Sequence, residues 1–391
     1  MTGYSHIVIG AGAIGSAAAY RLAAQGARKV LVVEQFDLIN TLNSSGDHSR
    51  IIRRAYHDDA YVNLTSAMFS AWEEIEHLSG LTIYTRTGGL DMAPAEGRGA
   101  EELEAFKQPL RNAGIPFDEL SAEDIRAEYP QWVINDDTVG FFQQDAGIID
   151  IRRSVSAHTS LSLSAGVEFL SRTRVEGLTV RDNSVTVRTT KGDFDADHLL
   201  VAAGSWTEEL MPDLQHFPLV LSQEQVSYIA TPHLRDFLTD RFPVWSYHGS
   251  ELFYGFPVYG EAAIKLARDM RGHFIESKDR VFEGDEQEAD VLRAFLSQYL
   301  PRAFGRTLTN KTCVYDMAPD REFILDTLPG RPHVAVFNGA GHAGKFAALI
   351  GKILADLLTD GTTKHDIGAF SLLRPALTDP GFQSVFRHGA S

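Results

Sequence analysis

The chain has little cysteine: one residue, Cys313, in 391. A single thiol excludes an internal disulfide framework, and a cytoplasmic location fits that scarcity. Long apolar runs are also missing. No stretch approaches the roughly 20 residues that a spanning helix needs, so no membrane association is expected. Basic residues are in deficit, with 36 Lys and Arg against 52 Asp and Glu and a formal net charge of −16. Such a surface is a poor partner for nucleic acid or anionic lipid. It leaves room for a basic pocket that takes a small anion. No repeat, low-complexity tract or metal-ligating cluster stands out. A secretory leader is not expected, because the apolar run Ser5-His6-Ile7-Val8-Ile9 begins almost at the N-terminus.

What remains is an ordinary globular balance, 44% hydrophobic and 23% charged. The length exceeds one ordinary core, so two domains are expected. After the first strand comes Gly10-Ala11-Gly12-Ala13-Ile14-Gly15, then an alanine-rich helix from Ser16 to Gln25 and a second strand, Val30 to Glu34. This is a βαβ opening. Leu64, Met68, Trp72 and Ile75 recur at helical spacing. Residues 170–201 read as a strand meander that Gly204 closes. The acidic stretch Phe282 to Asp290 reads as a surface loop before a helix, Val291 to Leu300. Phe346, Leu349, Ile350, Ile353, Leu354 and Leu357 mark a last amphipathic helix behind a glycine-rich loop.

Gly10, Gly12 and Gly15 have the spacing G-x-G-x-x-G between a strand and a helix. There they allow a tight turn, a close backbone approach to pyrophosphate, and close helix–strand packing. Glu34 ends the next strand, where a carboxylate accepts from both ribose hydroxyls. That acid disfavours a 2′-phosphate, which leaves FAD or NAD. Arg50 and Arg53, three residues apart, share a face if their segment is helical. They would bind carboxylate bidentately or hold an anionic flavin, or else form a surface salt-bridge patch.

The segment Ser44-Ser45-Gly46-Asp47-His48-Ser49-Arg50-Ile51-Ile52-Arg53 resembles the corresponding segment of the monomeric sarcosine oxidase and N-methyltryptophan oxidase family. The resemblance continues through Phe253-Tyr254-Gly255-Phe256-Pro257, Ile264-Lys265-Leu266, Cys313-Val314-Tyr315, Pro319 to Asp326 and Gly339 to Phe346, in order over nearly the whole chain. It implies an α/β fold: a discontinuous FAD domain of the glutathione-reductase type (1–84, 150–218 and 311–391) and a substrate domain on a mixed sheet (85–149 and 219–310). FAD is expected against Gly10, Gly12, Ala13, Ile14, Gly15, Glu34, Gln35, Ser45, Ser49, Arg50, Val175, Gly204, Trp206, Gly341, His342, Gly344 and Lys345. Cys313 is expected to carry it covalently through the flavin 8α-methyl carbon. Alone, Cys313 reads as a small buried hydrophobe.

The resemblance further implies that Lys265, with Arg50, stabilises superoxide as electrons pass to oxygen. Arg53 and Lys345 would hold a substrate carboxylate, and Tyr254 and Tyr315 would line the cavity. One departure stands out: where the family's amine site carries a histidine four residues after the lysine, this chain has Asp269. An anion there favours a protonated amine, unless Arg268 or Arg271 neutralises it. Those two arginines would alternatively hold a second carboxylate. The expected reaction is oxidation of the C–N bond of a small secondary amino acid by a monomeric enzyme, with O2 reduced to H2O2. Sarcosine-like amines are the default substrate, with a dicarboxylate such as iminodiacetate or cyclic pipecolate- or proline-like amines as alternatives. An amine dehydrogenase with another acceptor, an NAD-linked dehydrogenase and a non-catalytic flavin-binding protein also stay open.

Overall fold

The computed structural model describes residues 3–211 and 218–385. Residues 212–217, beside the expected domain boundary at 218, lie outside the described residues, as do 1–2 and 386–391. The first of three sheets has a parallel core. Gly3–Ile9 sits between Val30–Val33 and the end of Gly192–Val201, with Glu168–Leu170 and Arg331–Asn338 outside them. The expected meander adds Val175–Val180 and Val185–Thr189 antiparallel, and Ile324–Leu328 pairs with the far edge.

These parallel strands are continuously apolar because both faces are covered. Val8, Val32, Leu200 and Ala335 face one core, while Ile7, Ile9, Leu31, Val33, Leu199 and Val201 face another. On the first of these faces the helix Ala13–Ala24 packs against Ile151–Ser164 and Ala347–Asp360. Its alanine run permits a close crossing. A Cβ on Gly351 would stand 2.6 Å from the Ala17 Cβ and 2.7 Å from the Ala18 nitrogen.

The second sheet is mixed and has nine strands. Its centre is Val220–Ala230, Ile264–Arg268, Leu252–Phe256 and Val244–His248, and Gly89–Pro94 joins the last of these in parallel. The long strand Arg306–Met317 pairs antiparallel with Val220–Ala230 along its whole length. The expected boundary at 311 therefore falls inside a strand, and Cys313 belongs to the second sheet. A small third sheet (Ser49–Ile52, Gly147–Asp150 and Tyr84–Arg86) sits between the two. Among the described residues no helix is long and apolar enough to cross a membrane.

Two local expectations are corrected. The helix placed at Val291–Leu300 spans Glu286–Tyr299, and the acidic stretch before it is partly its first turn. Asp285 caps it by accepting from the Gln287 N–H, and Glu286 and Glu288 face the positive end of the helix dipole. Arg50 and Arg53 are not on a helix. Ser49–Ile52 is a strand, where residues three apart point to opposite faces, and Arg53 lies just beyond its end.

The tight helix crossing generates a prediction. Gly351→Val forces a branched side chain against Ala17 and should cost about 1–3 kcal/mol of stability. Urea unfolding measures it, and an unchanged midpoint would show that the two helices are free to separate.

Candidate active site

Two cavities meet at the join between the sheets. The first, about 390 Å³, opens at the carboxyl ends of the parallel strands, where Ile9, Gly10, Val33 and Glu34 line it. The second, about 910 Å³, lies against the second sheet. Ser44, Arg50, Val314, Gly341 and Gly344 line both.

Two helix starts face the first cavity. The helix Ala13–Ala24 begins at Gly12 with no side-chain cap and no acid in its first turn, and Gly12, Ala13 and Ile14 line the space. The turn Ala343–Phe346, which runs into Ala347–Asp360, likewise lacks a side-chain cap and an acid, and contributes Ala343 and Gly344. Helix N-termini without an acid in the first turn attract an anion, although the Ala13 N–H already donates to the Ser45 hydroxyl at 3.0 Å. Glu34 is buried at the next strand end, accepting from the Ala11 N–H at 2.8 Å and the Phe36 N–H at 2.9 Å. Each oxygen keeps acceptor capacity for a hydroxyl.

Gln35, Ser45, Val175, Gly204 and Trp206 also line this cavity. Gly15 does not: its Cβ would lie 1.9 Å from the Gly10 carbonyl oxygen, so its part is packing helix on strand. Asp316, which sequence reading missed, is in this wall. Burial pushes its carboxyl up to about 7, against hydrogen bonds from the Asn338 side chain at 2.9 Å and the Gly341 N–H at 3.3 Å.

The second cavity brings together Ser49, Arg50, Arg53, Tyr254, Lys265, Asp269, Arg271, Cys313, Tyr315, His342 and Lys345. Lys265 is buried. Its Nζ donates to Asp47 Oδ2 at 2.5 Å and to the Ser49 carbonyl and hydroxyl at 3.1 Å, and lies 4.6 Å from the centre of the Phe256 ring. Burial lowers its pKa, and Asp47 opposes the shift. Asp47 is the larger omission from the sequence reading. Burial alone would raise its carboxyl, but Lys265, Arg50 and Lys311 hold it far below the usual range.

Burial pushes the Cys313 thiol up to about 11, with Arg50 and Lys265 acting in the other direction. Tyr254 and Tyr315 place their hydroxyls 3.5 Å apart. His342 is held neutral by burial and by the neighbouring Lys345 and Arg321, and its Nε2 is 3.3 Å from the Arg321 carbonyl.

Arg53 and Lys345 differ in their partners. Arg53 donates to Asp91 at 2.6 Å. Lys345 meets no acceptor among the described residues. It stands 5.4 Å from the centre of the Tyr56 ring, and burial and Arg53 bring its pKa down to about 7.

Asp269 pairs with neither arginine expected for it. Arg321, 52 positions along the chain, takes it bidentately at 2.8 Å and 2.8 Å. Arg268 lies outside the cavity lining, where Glu251 and Glu288 both accept from it. Arg271 lines the cavity but stands 3.1 Å from Glu251. The strand alternation decides this: Lys265 and Arg268 are three residues apart and point to opposite faces.

Comparison with known proteins agrees with the geometry. Residues 5–357 match the family described as FAD dependent oxidoreductase. Monomeric sarcosine oxidase from Bacillus sp. (strain B-0618) is 32% identical over 387 residues, covering 97% of this chain and 98% of that protein. An N-methyl-L-tryptophan oxidase of Escherichia coli O157:H7 is 29% identical over 378 residues, covering 95% and 99%. Among solved structures, NikD, described as an unusual amino acid oxidase essential for nikkomycin biosynthesis, has a TM-score of 0.86 at 23% identity over 100% of both chains. The fructosamine oxidase Amadoriase II of Aspergillus fumigatus has a TM-score of 0.82 at 20% identity, over 97% of this chain and 92% of that one. The two structures speak to fold alone.

The first cavity suits the cofactor the family requires: two helix starts with no acid in the first turn for a diphosphate, a strand-end carboxylate for a ribose, and a passage past Arg50 and Gly344 into the second cavity. With its family match, near full-length relatives and this double cavity, the chain belongs to the FAD-dependent oxidoreductases, the family that includes monomeric sarcosine oxidase and N-methyl-L-tryptophan oxidase.

Proposed function

We propose that the chain is an oxidase of small secondary (N-alkyl) amino acids, sarcosine-like in its substrate. The observation that carries this reading is Lys345: a half-buried cation that meets no acceptor among the described residues, beside Arg53, in a cavity continuous with the cofactor cavity. A carboxylate entering there gains two charge-assisted partners. That anchors the substrate and leaves its amine side toward Tyr254 and Tyr315.

The amine must present its nitrogen lone pair, so an uncompensated anion nearby would oppose the reaction. The Asp269–Arg321 pair removes that objection, because a bidentate arginine neutralises the carboxylate. When bound, FAD supplies the two-electron acceptor for the C–N bond, and reoxidation by dioxygen gives hydrogen peroxide. The substrate leaves as an imine that water hydrolyses to an amine and an aldehyde or oxo acid. Lys265 and Arg50 provide fixed positive charge where oxygen takes up electrons. Asp47 offsets part of that charge, but Lys265, Arg50 and Lys311 together exceed it.

Monocarboxylates fit better than dicarboxylates, since Arg268 is fully engaged elsewhere and Arg271 already faces Glu251. Covalent attachment at Cys313 is part of the reading and is supported by its place in the lining of the second cavity, next to Val314, which lines both cavities. So are a cytoplasmic monomer and the division into FAD-binding and substrate parts, with the boundary expected at 311 moved to the end of Arg306–Met317, which pairs throughout with the second sheet.

Three outcomes are expected. In anaerobic titration, sarcosine should bleach the flavin at lower concentration than iminodiacetate or pipecolate. Bleaching by no secondary amino acid would remove the amine-oxidase reading. After acid precipitation the yellow colour should stay with the wild-type protein and move to the supernatant in Cys313→Ala; colour free in the wild-type supernatant would rule out the covalent link. Lys265→Met should slow flavin reoxidation by about 10²–10³-fold, more than it slows anaerobic reduction. Stopped-flow measurement of both half-reactions checks it, and an unchanged reoxidation rate would take Lys265 out of the oxygen step.

A further inference from the structure

Beside Arg53 runs a line of polar groups that the reaction above does not use, and Arg98, Glu102, Ser246 and His248 among them also line the second cavity. Asp91, on the strand Gly89–Pro94, accepts from Arg53 at 2.6 Å and also from the Ser246 hydroxyl. His248, on the strand Val244–His248, has its Nε2 2.9 Å from the Ser246 hydroxyl and 3.8 Å from Asp91. Its Nδ1 is 3.1 Å from Glu102 on the helix Arg98–Asn112. Glu102 in turn accepts from Arg98 at 2.8 Å. The His248 side chain is 1% exposed and that of Asp91 5%.

The hydrogen-bond inventory fixes the charge of His248. Ser246 has one hydroxyl hydrogen, and it goes to Asp91. Toward His248 the same oxygen is then an acceptor, so Nε2 must carry a hydrogen. Glu102 is an acceptor too, so Nδ1 must carry the other. Only the imidazolium supplies both. The groups facing His248 are Asp91, Glu102 and Phe106 from neighbouring elements and Ser246 from its own strand, with Arg53 on the far side of Asp91. The sequence Arg98, Glu102, His248, Asp91, Arg53 therefore alternates in sign with a net positive charge, and all but Asp91 line the second cavity.

From this arrangement we infer that His248 is a positioning residue for the substrate carboxylate, acting through Asp91 on Arg53. As a cation, His248 shares the charge of Asp91 and leaves Arg53 with an excess to offer a ligand. As a neutral ring, it leaves Asp91 to neutralise Arg53 alone, and the five groups lose their net positive charge. The inference rests on the reading of Arg53 as a carboxylate partner.

Burial lowers the His248 pKa, but Asp91 and Glu102 outweigh it and the net direction is up. A raised histidine is fully charged below its ordinary value and loses its charge as pH rises through the raised one. Carboxylate affinity should therefore fall with rising pH in that window. Lys345, brought down to about 7, titrates nearby and must be taken out of the comparison.

The test uses holoenzyme and acetate, an anion throughout, titrated by its effect on the flavin visible spectrum from pH 6 to 9.5. In Lys345→Met the acetate Kd should rise with pH in one step. Adding His248→Gln should remove the step and weaken acetate about 5-fold or more at pH 6. Adding Glu102→Gln instead, at a side chain that is 34% exposed and safe to change, should move the step to lower pH. A double variant with His248→Gln that keeps the step, or a midpoint that ignores Glu102→Gln, would overturn the inference while leaving the carboxylate site intact. If Arg53→Met binds acetate as tightly as wild type, the carboxylate reading fails first and the inference falls with it.

Discussion

A carboxylate that three cations share is what the active region is built around. Asp47 accepts from Lys265 at 2.5 Å, from Lys311 at 3.1 Å and from the Tyr228 hydroxyl at 2.7 Å, and stands 3.9 Å from Arg50. Lys265, Lys311 and Tyr228 come from three strands of the second sheet, while Arg50 belongs to the small sheet between the two larger ones. A lysine with 4% of its side chain exposed would otherwise carry a desolvation cost of several kcal/mol. The same contact docks the segment that follows the second strand of the first sheet, which brings Ser45 to the first helix. There the Ser45 hydroxyl accepts from the Ala13 N–H at 3.0 Å. The cofactor cradle and Lys265 are thus tied to one anion.

What could be read in the sequence is what depends on near neighbours. The βαβ opening is visible because its glycines, its alanine run and its terminal acid lie within about 30 residues, and the sheet covers each of those strands on both faces. The meander and the last helix are legible for the same reason of period. The helix at Glu286 was misplaced because an acidic run looks alike as a loop and as a capped first turn. The Arg50–Arg53 face could be given only on the condition of a helix, because the strand there is four residues long, too short to show alternation.

The site was legible at the residues that the family's motifs quote, and not at the residues that neutralise them. Asp47 sits inside a motif and still revealed no role, since the groups that hydrogen-bond to it are 181 to 264 positions away. Arg321 resolves Asp269 across 52 positions, and Asp91 meets Arg53 across 38. No local pattern carries such pairings. They follow from electroneutrality in a buried region, which only the three-dimensional arrangement can balance.

The strand Arg306–Met317 has a consequence for how such an enzyme changes over time. Its middle and end put Cys313, Val314, Tyr315 and Asp316 in sequence along both cavities, so one stretch of backbone is wall to cofactor and substrate alike. A substitution that shifts this strand to admit a new substrate disturbs the cofactor's wall in the same movement. The opposite wall, with Ser246, His248 and Leu252, lines only the second cavity. A substitution on that far side can therefore reshape the second cavity without moving the strand that walls the cofactor.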